Sequence, residues 1–287
     1  MNLQTILFLD GSKTSQYLLN YIIKTKKFDI KKVIISPGCN KKFSDKIKKK
    51  FILIISNLKN KQPNLKKYDI GFSYYDFKVS QHILEKAKIG VVNFHPSFLP
   101  YNRGRHSVFW AINNQTPLGA TSHWMNKKFD DGEIFLQKKI ENVKFQNAKT
   151  LYNLQLRYLN SVIESTIKSI IIKKFIRKKQ DSRKATYHFA SDIKVASTLH
   201  THQKIRNDRF FRLLQSTNFN NKTGIYLVNG KKKIFITSNY SIKKNNYKKK
   251  YDVDLKNIFE KINKSKKIRF TICVGKFKII INSKVKK

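Results

Sequence analysis

Apolar positions along the chain change period several times, and each change marks an element. Residues 5–9 form a continuous apolar run that predicts a buried strand, and Asp10-Gly11-Ser12 turns the chain. Leu18, Leu19, Ile22 and Ile23 share one helical stripe, which predicts a helix reaching Thr25 with Thr14 or Ser15 as its cap. Residues 33–36 read as a second strand closed by Pro37-Gly38, and this strand–helix–strand opening predicts a parallel sheet with a right-handed crossover. A short helix over 44–50, a strand over 51–55, a polar loop over 59–67 and a strand over 69–74 follow, with a helix over about 80–88. After the central strand, Ser107 caps a helix over 108–113, and 121–125 and 134–138 read as strands, with His123 a packed or surface histidine. Leu151, Leu154, Tyr158, Val162, Ile163, Ile167, Ile170 and Ile171 step by three and four, so one long helix covers about 148–174. Residues 173–184 are charged and polar and read as a linker. Beyond it, a helix capped by Asn207 or Asp208 precedes two predicted hairpins, 225–228 with 234–237 across Asn229-Gly230, and 270–274 with 277–281 across Gly275-Lys276. The lysine-rich stretch 239–252 between them reads as mobile. The division expected is therefore 1–180 and a small α+β or β-rich domain over 181–287.

The densest chemistry lies between residues 90 and 137. Residues 90–94 read as a buried strand that Pro96 stops one residue past His95, because proline lacks an N–H and holds its predecessor extended. Asn93 and His95 are two apart, so their side chains leave the same strand face, at the carboxyl end where open α/β sheets place ligands. Asp130-Asp131-Gly132 forms an acidic turn between two strand-like runs. An amide, an imidazole and a carboxylate converging there meet the needs of acyl chemistry: an oxyanion donor, a proton carrier and an orienting group.

Asn93-x-His95-Pro96-Ser97-x-Leu99-Pro100, followed by Gly104 and by Asp130-x-Gly132, resembles the folate-dependent formyltransferase family over about residues 68–190. The wording of residues 94–104 is most similar to the sugar-nucleotide N-formyltransferases, and Thr186-Tyr187-His188-Phe189 looks like the junction that follows their catalytic domain. The resemblance implies an α/β fold with a Rossmann-like, mostly parallel sheet, and an enzyme that moves a formyl group from 10-formyltetrahydrofolate to a primary amine. It implies Asn93, His95 and Asp130 as the catalytic residues. Tyr74, Tyr75, Phe77, Leu99, Asp131 and Gly132 are expected along the folate; the backbone of the strand-to-helix segment lies against the pterin in the family, and the three aromatic side chains read either as a slot for a flat ring or as core. Ser97, Tyr101, Asn102, Arg103 and Arg105 are expected toward the acceptor, with the two arginines suited to a phosphate or carboxylate or to a solvated loop. A homodimer through the C-terminal domain is a further expectation drawn from the sugar branch.

Composition limits these readings more than it directs them. The chain has 287 residues with a formal net charge of +44. That charge fits a polyanion such as tRNA, but the lysines are spread along the chain rather than gathered in a patch, which favours a genome whose base composition writes Lys, Asn and Ile. A lone Gly11 is no dinucleotide fingerprint, so NAD binding is rejected. Seven histidines lack carboxylate or cysteine company at ligand spacing, so no metal is expected. No apolar run reaches membrane-spanning length, the N-terminus reads as a strand rather than a signal peptide, and two distant cysteines, Cys39 and Cys273, read as free thiols, which together suggest a cytoplasmic enzyme. Three acceptor readings remain open: an aminosugar on a nucleotide, methionyl-tRNA, and no acceptor at all in an inactive nucleic-acid-binding relative.

Overall fold

The computed structural model describes residues 2–58, 63–141, 146–219, 224–244, 252–264, 267–274 and 277–286. In chain order the first part runs β1 (Leu3–Leu9), α1 (Lys13–Thr25), β2 (Phe28–Ile35), α2 (Lys41–Lys48), β3 (Leu53–Ile55), β4 (Tyr68–Tyr74), α3 (Gln81–Leu84), β5 (Ala87–His95), β6 (Arg103–Gly104), α4 (Ser107–Asn114), β7 (Leu118–Trp124), β8 (Ile134–Ile140) and α5 (Ala148–Ile171). Then follow β9 (Tyr187–His188), α6 (Asp192–Ala196), β10 (Thr198–His200), β11 (Ile205–Arg206), α7 (Asn207–Thr217), β12 (Ile225–Asn229), β13 (Lys232–Lys244), β14 (Asp252–Val253), α8 (Leu255–Lys264), β15 (Lys267–Val274) and β16 (Phe277–Lys286). Two compact units emerge: Met1–Gly104 with Pro117–Glu141 and Leu154–Tyr187, and Arg105–Thr116 with Asn142–Asn153 and His188–Lys287.

The first unit is a seven-stranded sheet in the order β3-β2-β1-β4-β5-β7-β8. β1 to β5 pair in parallel, and β7 and β8 close one side antiparallel. The sheet is therefore mostly parallel, as expected. The apolar run of β1 is explained by burial on both faces. Leu7 and Leu9 join α1, α2 and α5 through Leu18, Leu19, Ile22, Phe43, Ile163 and Ile167, while Ile6 and Phe8 pack with Val79, Ile83 and Val91 on the other side.

Several local expectations are corrected. Ser12 rather than Thr14 or Ser15 caps α1; its Oγ accepts from Ser15 N at 3.4 Å, because Asp10 Oδ1 takes the Ser12 N–H at 2.8 Å and sets the turn there. α3 is one turn, not two, because the chain from Ala87 is claimed by pairing with β4, where Tyr68 faces Ala87; sheet pairing overrides helical propensity. The segment read as a linker is tied along the first unit: Lys178 forms an antiparallel bridge with Ile134, and Trp124 Nε1 donates to Ile176 O at 2.8 Å. Its polar side chains conceal a fastening made largely by backbone.

The second unit holds a five-stranded sheet in the order β10-β12-β13-β16-β15. Its core joins Phe210, Phe211 and Leu214 of α7 and Ile258, Phe259 and Ile262 of α8 to Leu227, Ile236, Ile279 and Ile281. Both predicted hairpins pair, but the first turns at Gly230-Lys231 rather than Asn229-Gly230, because Asn229 continues the ladder opposite Lys232. α7 has no side-chain cap; Asp208 instead sits in its first turn, bonded to Arg206 and Arg212 at 3.0 Å each. β13 corrects the expectation of a mobile stretch from 239, since it pairs with β16 as far as Lys244 opposite Phe277. The ladder carries the strand through the first lysines; the rest of the stretch, 245–251, and the turn at Gly275-Lys276 lie outside the described residues. Cys39 is a free thiol, and the side chain of Cys273 lies outside the description. Among the described residues no helix is long and apolar enough to cross a membrane.

Candidate active site

The site is set by the antiparallel register of β5 and β7. Asn93 lies opposite His123 and His95 opposite Thr121, so four side chains two apart on each strand share one face. Asn93 Nδ2 stands 3.1 Å from His123 Nε2. His123 Nδ1 must carry a hydrogen, because its partner at 3.0 Å is the carbonyl of Trp124, which only accepts. Beyond β7 the chain curls back and brings Asp130 to both imidazoles. Asp130 Oδ1 is 3.4 Å from His123 Nε2, and Oδ2 is 3.7 Å from His95 Nε2. Gly104 N–H donates to Oδ2 at 2.9 Å, and His95 Nε2–H donates to Asn102 O at 3.4 Å.

One buried carboxylate thus answers two imidazoles and a backbone N–H. Burial pushes the Asp130 carboxyl up, but His95, the hydrogen bond and charge of His123, and the Gly104 N–H together hold it well below the usual carboxylate range. The network keeps a negative charge in a site where only 9% of the Asp130 surface is exposed.

The backbone around Asp130 is unusual in two places. Asp130 has φ 51°, the left-handed region that Asp tolerates better than most residues. Gly132 has no alternative: a Cβ there would lie 1.7 Å from Trp124 O. The glycine lets the loop return close enough to β7 for the carboxylate to reach both rings.

The loop after β5 is pinned from β7 and β8. Thr121 Oγ1 donates to Ser97 O at 2.7 Å and accepts from Leu99 N at 3.2 Å, and Gln137 Nε2 donates to Leu99 O at 2.6 Å. Ser97 and Leu99 are each 1% exposed, and the Ser97 hydroxyl donates to Tyr101 O, so both build the loop from inside. Asn102 is equally buried and carries a left-handed φ of 56°. Arg103 is taken up internally: Nη1 meets Asp131 Oδ1 at 2.5 Å, while Nε and Nη2 reach Gln180 Oε1 at 3.2 and 2.8 Å. Arg105 falls in the second unit, exposed, with its N–H donated to His188 O at 2.9 Å. Tyr74, Tyr75 and Phe77 sit half-buried at the carboxyl end of β4. Tyr75 donates to Ser56 O and packs edge-on against both Phe8 and Phe77, which anchors this wall.

The structure thus brings Asn93, His95 and Asp130 together, as the sequence led one to expect. His123, read as packed or surface, is buried at 2% exposure and joins them. The signal available was its place two residues after Thr121 on a strand; what was missing was that this strand pairs with β5 in the register that sets His123 opposite Asn93. Gln180, in the polar stretch after α5, was also missed, and Thr186 was read only as part of the junction that follows the catalytic domain. Among the described residues no group of three or more His, Cys, Asp or Glu is arranged to hold a metal ion.

Comparison with known proteins shows what this segment and this fold are similar to. Residues 73–163, which include all four of these site residues, match the formyl transferase family. The GDP-perosamine N-formyltransferase of Brucella melitensis is 38% identical over 84 residues, 29% of this chain and 32% of that one. The methionyl-tRNA formyltransferase of Elusimicrobium minutum is 30% identical over 114 residues, 38% of this chain and 33% of that one. The matched part thus spans about a third of the length of either relative. Among solved structures, a 4-N formyltransferase from Francisella tularensis superposes with a TM-score of 0.69 at 24% identity, covering 80% of this chain and 95% of that one. The N-formyltransferase of Helicobacter canadensis, solved with folinic acid and dTDP-3-aminofucose, gives 0.68 at 20% identity over 99% of this chain and 100% of its own. The fold is that of these N-formyltransferases.

Proposed function

We propose that this chain transfers a formyl group from 10-formyltetrahydrofolate to the amino group of a nucleotide-linked aminosugar. The observation that carries the reading is the convergence of Asn93, His95 and Asp130 in one buried network inside the segment that matches the formyl transferase family. The GDP-perosamine relative and the fold shared with an enzyme crystallised with folinic acid and an aminosugar nucleotide support the donor and the acceptor class.

The geometry supports a role for each residue. The acceptor amine attacks only as the neutral base. Asp130, ionised and facing His95, accepts the proton of the incoming ammonium directly or through water. As the new C–N bond forms, negative charge gathers on the formyl oxygen. Asn93 Nδ2 carries two hydrogens; one faces His123 Nε2, which accepts it when that ring is neutral, and the other serves the oxyanion, a contact worth roughly 3 kcal/mol when preorganised. His95 Nε2–H supplies a second donor or returns the proton to the donor nitrogen as its C–N bond breaks. From ammonium to formamide the acceptor nitrogen gives up two protons: one reaches the departing nitrogen through the Asp130 and His95 pair, and the other is released to solvent. The half-buried aromatic wall of Tyr74, Tyr75 and Phe77 fits the flat pterin, with Leu99, Asp131 and Gly132 on the facing loops. An anionic acceptor suits the +44 charge whatever its origin.

The direct test mixes the protein and 10-formyltetrahydrofolate with either a panel of nucleotide-linked aminosugars or methionyl-tRNA, and follows tetrahydrofolate release. Release with an aminosugar nucleotide is expected. Release with charged tRNA alone would replace the acceptor and turn the lysines into a binding surface. Silence with both would sink the activity.

His123 gives a second expectation. His123→Asn keeps a donor for Trp124 O but removes the Nε2 that meets Asn93 and Asp130. Turnover is expected to fall about tenfold to a hundredfold, less than on losing a group that moves a proton itself, with folate affinity by equilibrium titration little changed.

A further inference from the structure

We propose that Gln180, in the segment that follows α5, is a positioning residue that holds the two catalytic loops in register; this rests on the formyl-transfer reading above. Its single side chain makes four hydrogen bonds within the first unit. Nε2 donates to Asp130 O at 2.8 Å and to Gly132 O at 2.7 Å, and Oε1 accepts from Arg103 Nε at 3.2 Å and Nη2 at 2.8 Å. One amide therefore clamps the loop that carries the catalytic carboxylate to the loop that follows His95. No charged side chain does both, because the clamp needs two donors for the carbonyls and an acceptor for the guanidinium.

The bonds fall where the backbone needs them. Asp130, at φ 51°, holds a conformation that persists only where the surroundings over-determine it. Gln180 grips the carbonyl of Asp130 and that of Gly132, two residues on. Six residues further along, the same segment grips the other strained residue. Thr186 Oγ1 accepts from the N–H of Asn102, whose φ is 56°, at 2.8 Å, and Thr186 O accepts from Arg103 N at 2.9 Å. Asn102 O is in turn the partner of His95 Nε2. The segment thus sets both sides of the His95–Asp130 gap: Gln180 from the aspartate side and Thr186 from the histidine side. The Arg103–Asp131 pair lies between them and keeps the Arg103 guanidinium aligned on Gln180.

The variants to compare are Gln180→Met, which keeps length without donor or acceptor, and Gln180→Glu, which keeps the acceptor for Arg103 but loses both donors to the carbonyls. Arg177→Ala serves as control. Arg177 lies three residues earlier, donates to Ile89 O at 3.0 Å, covers Trp124 and pairs with Glu133 at 3.2 Å, so its loss loosens the same segment without removing a bond to Asp130, Gly132 or Arg103. Two readouts are taken on each. The first is kcat and KM across pH; kcat is expected to fall tenfold or more in both Gln180 variants with KM for folate within about threefold of wild type, and to stay unchanged in Arg177→Ala. The second needs no turnover. The pH titration of the His95 ring by NMR, assigned with His95→Gln, is expected to have its midpoint lowered by half a unit or more in Gln180→Met as Asp130 drifts from the imidazole, and to be unmoved in Arg177→Ala. An unmoved midpoint and unaltered kcat in both Gln180 variants would overturn the assignment. So would equal effects in Arg177→Ala, which would mark general loosening. A wild type that turns over no acceptor while Gln180→Met still shifts the His95 midpoint would sink the enzymatic reading and leave the clamp standing.

Discussion

Asp130→Asn is expected to lower kcat/KM for formyl transfer by about three orders of magnitude, within the range of a positioned acid–base group. Asn is the informative replacement because it keeps the volume and leaves an oxygen for the Gly104 N–H, which now bonds Oδ2 at 2.9 Å. What it removes is the charge facing His95 and His123. An alanine would leave both rings and that N–H around a void, mixing lost chemistry with lost packing. The same variant carries a stability signature. The Asp130 carboxyl titrates below its usual range when folded, because the imidazoles and the Gly104 N–H outweigh burial. A group depressed in this way contributes stability that is present above its unfolded pKa, about 4, and is lost as pH falls through the folded value. Wild type is therefore expected to melt above Asp130→Asn near pH 7, and the gap in Tm is expected to narrow as pH falls below about 4. Calorimetry of both proteins over that range checks it. A gap that widens in acid would mean that the carboxylate is not held by the two rings.

What the sequence disclosed and what it hid divide along a physical line. β1, α1, α5 and the strand ending at His95 were legible because their apolar periodicity is set by local geometry and by burial. The Asn93, His95 and Asp130 set was legible because proline, glycine and alternation fix where those side chains emerge. His123 was not, because its role depends on an antiparallel register that no local signal announces; the chain reads as a parallel α/β opening until β7 reverses. Gln180 and Thr186 were hidden for a different reason. They act through backbone carbonyls and N–H groups on loops 48 to 84 residues away in sequence, and Gln180 sits in a run of lysine and arginine that looks like solvent-facing linker. Arg103, whose type and loop position suggest a phosphate or carboxylate ligand, is paired here with Asp131 and Gln180. β13 beyond residue 239 is a case of pairing overriding composition, since lysines continue an extended ladder when a partner strand is already in register.

His95→Ala is expected to cost a further large loss, about a thousandfold in kcat, and its combination with Asp130→Asn distinguishes two ways of reading the site. If the imidazole and the carboxylate acted independently, the double variant would lose roughly the product of the two single losses, about a millionfold. The geometry argues for much less. His95 Nε2 and Asp130 Oδ2 are 3.7 Å apart, both nearly sealed from solvent, and the proton taken from the amine must cross this gap to reach the departing nitrogen. Removing either end breaks the same relay, so the second removal has little left to cost. The double variant is therefore expected to fall only about tenfold below the worse single one, with residual transfer sustained by Asn93 and by the proximity of bound donor and acceptor. Steady-state kinetics on the four proteins of the cycle measures the coupling directly. A fully multiplicative loss would separate the two residues into unconnected tasks, His95 as oxyanion donor alone and Asp130 as amine base alone. Strong non-additivity would place the proton path through the His95–Asp130 pair, which is also the distance that the segment after α5 is built to hold.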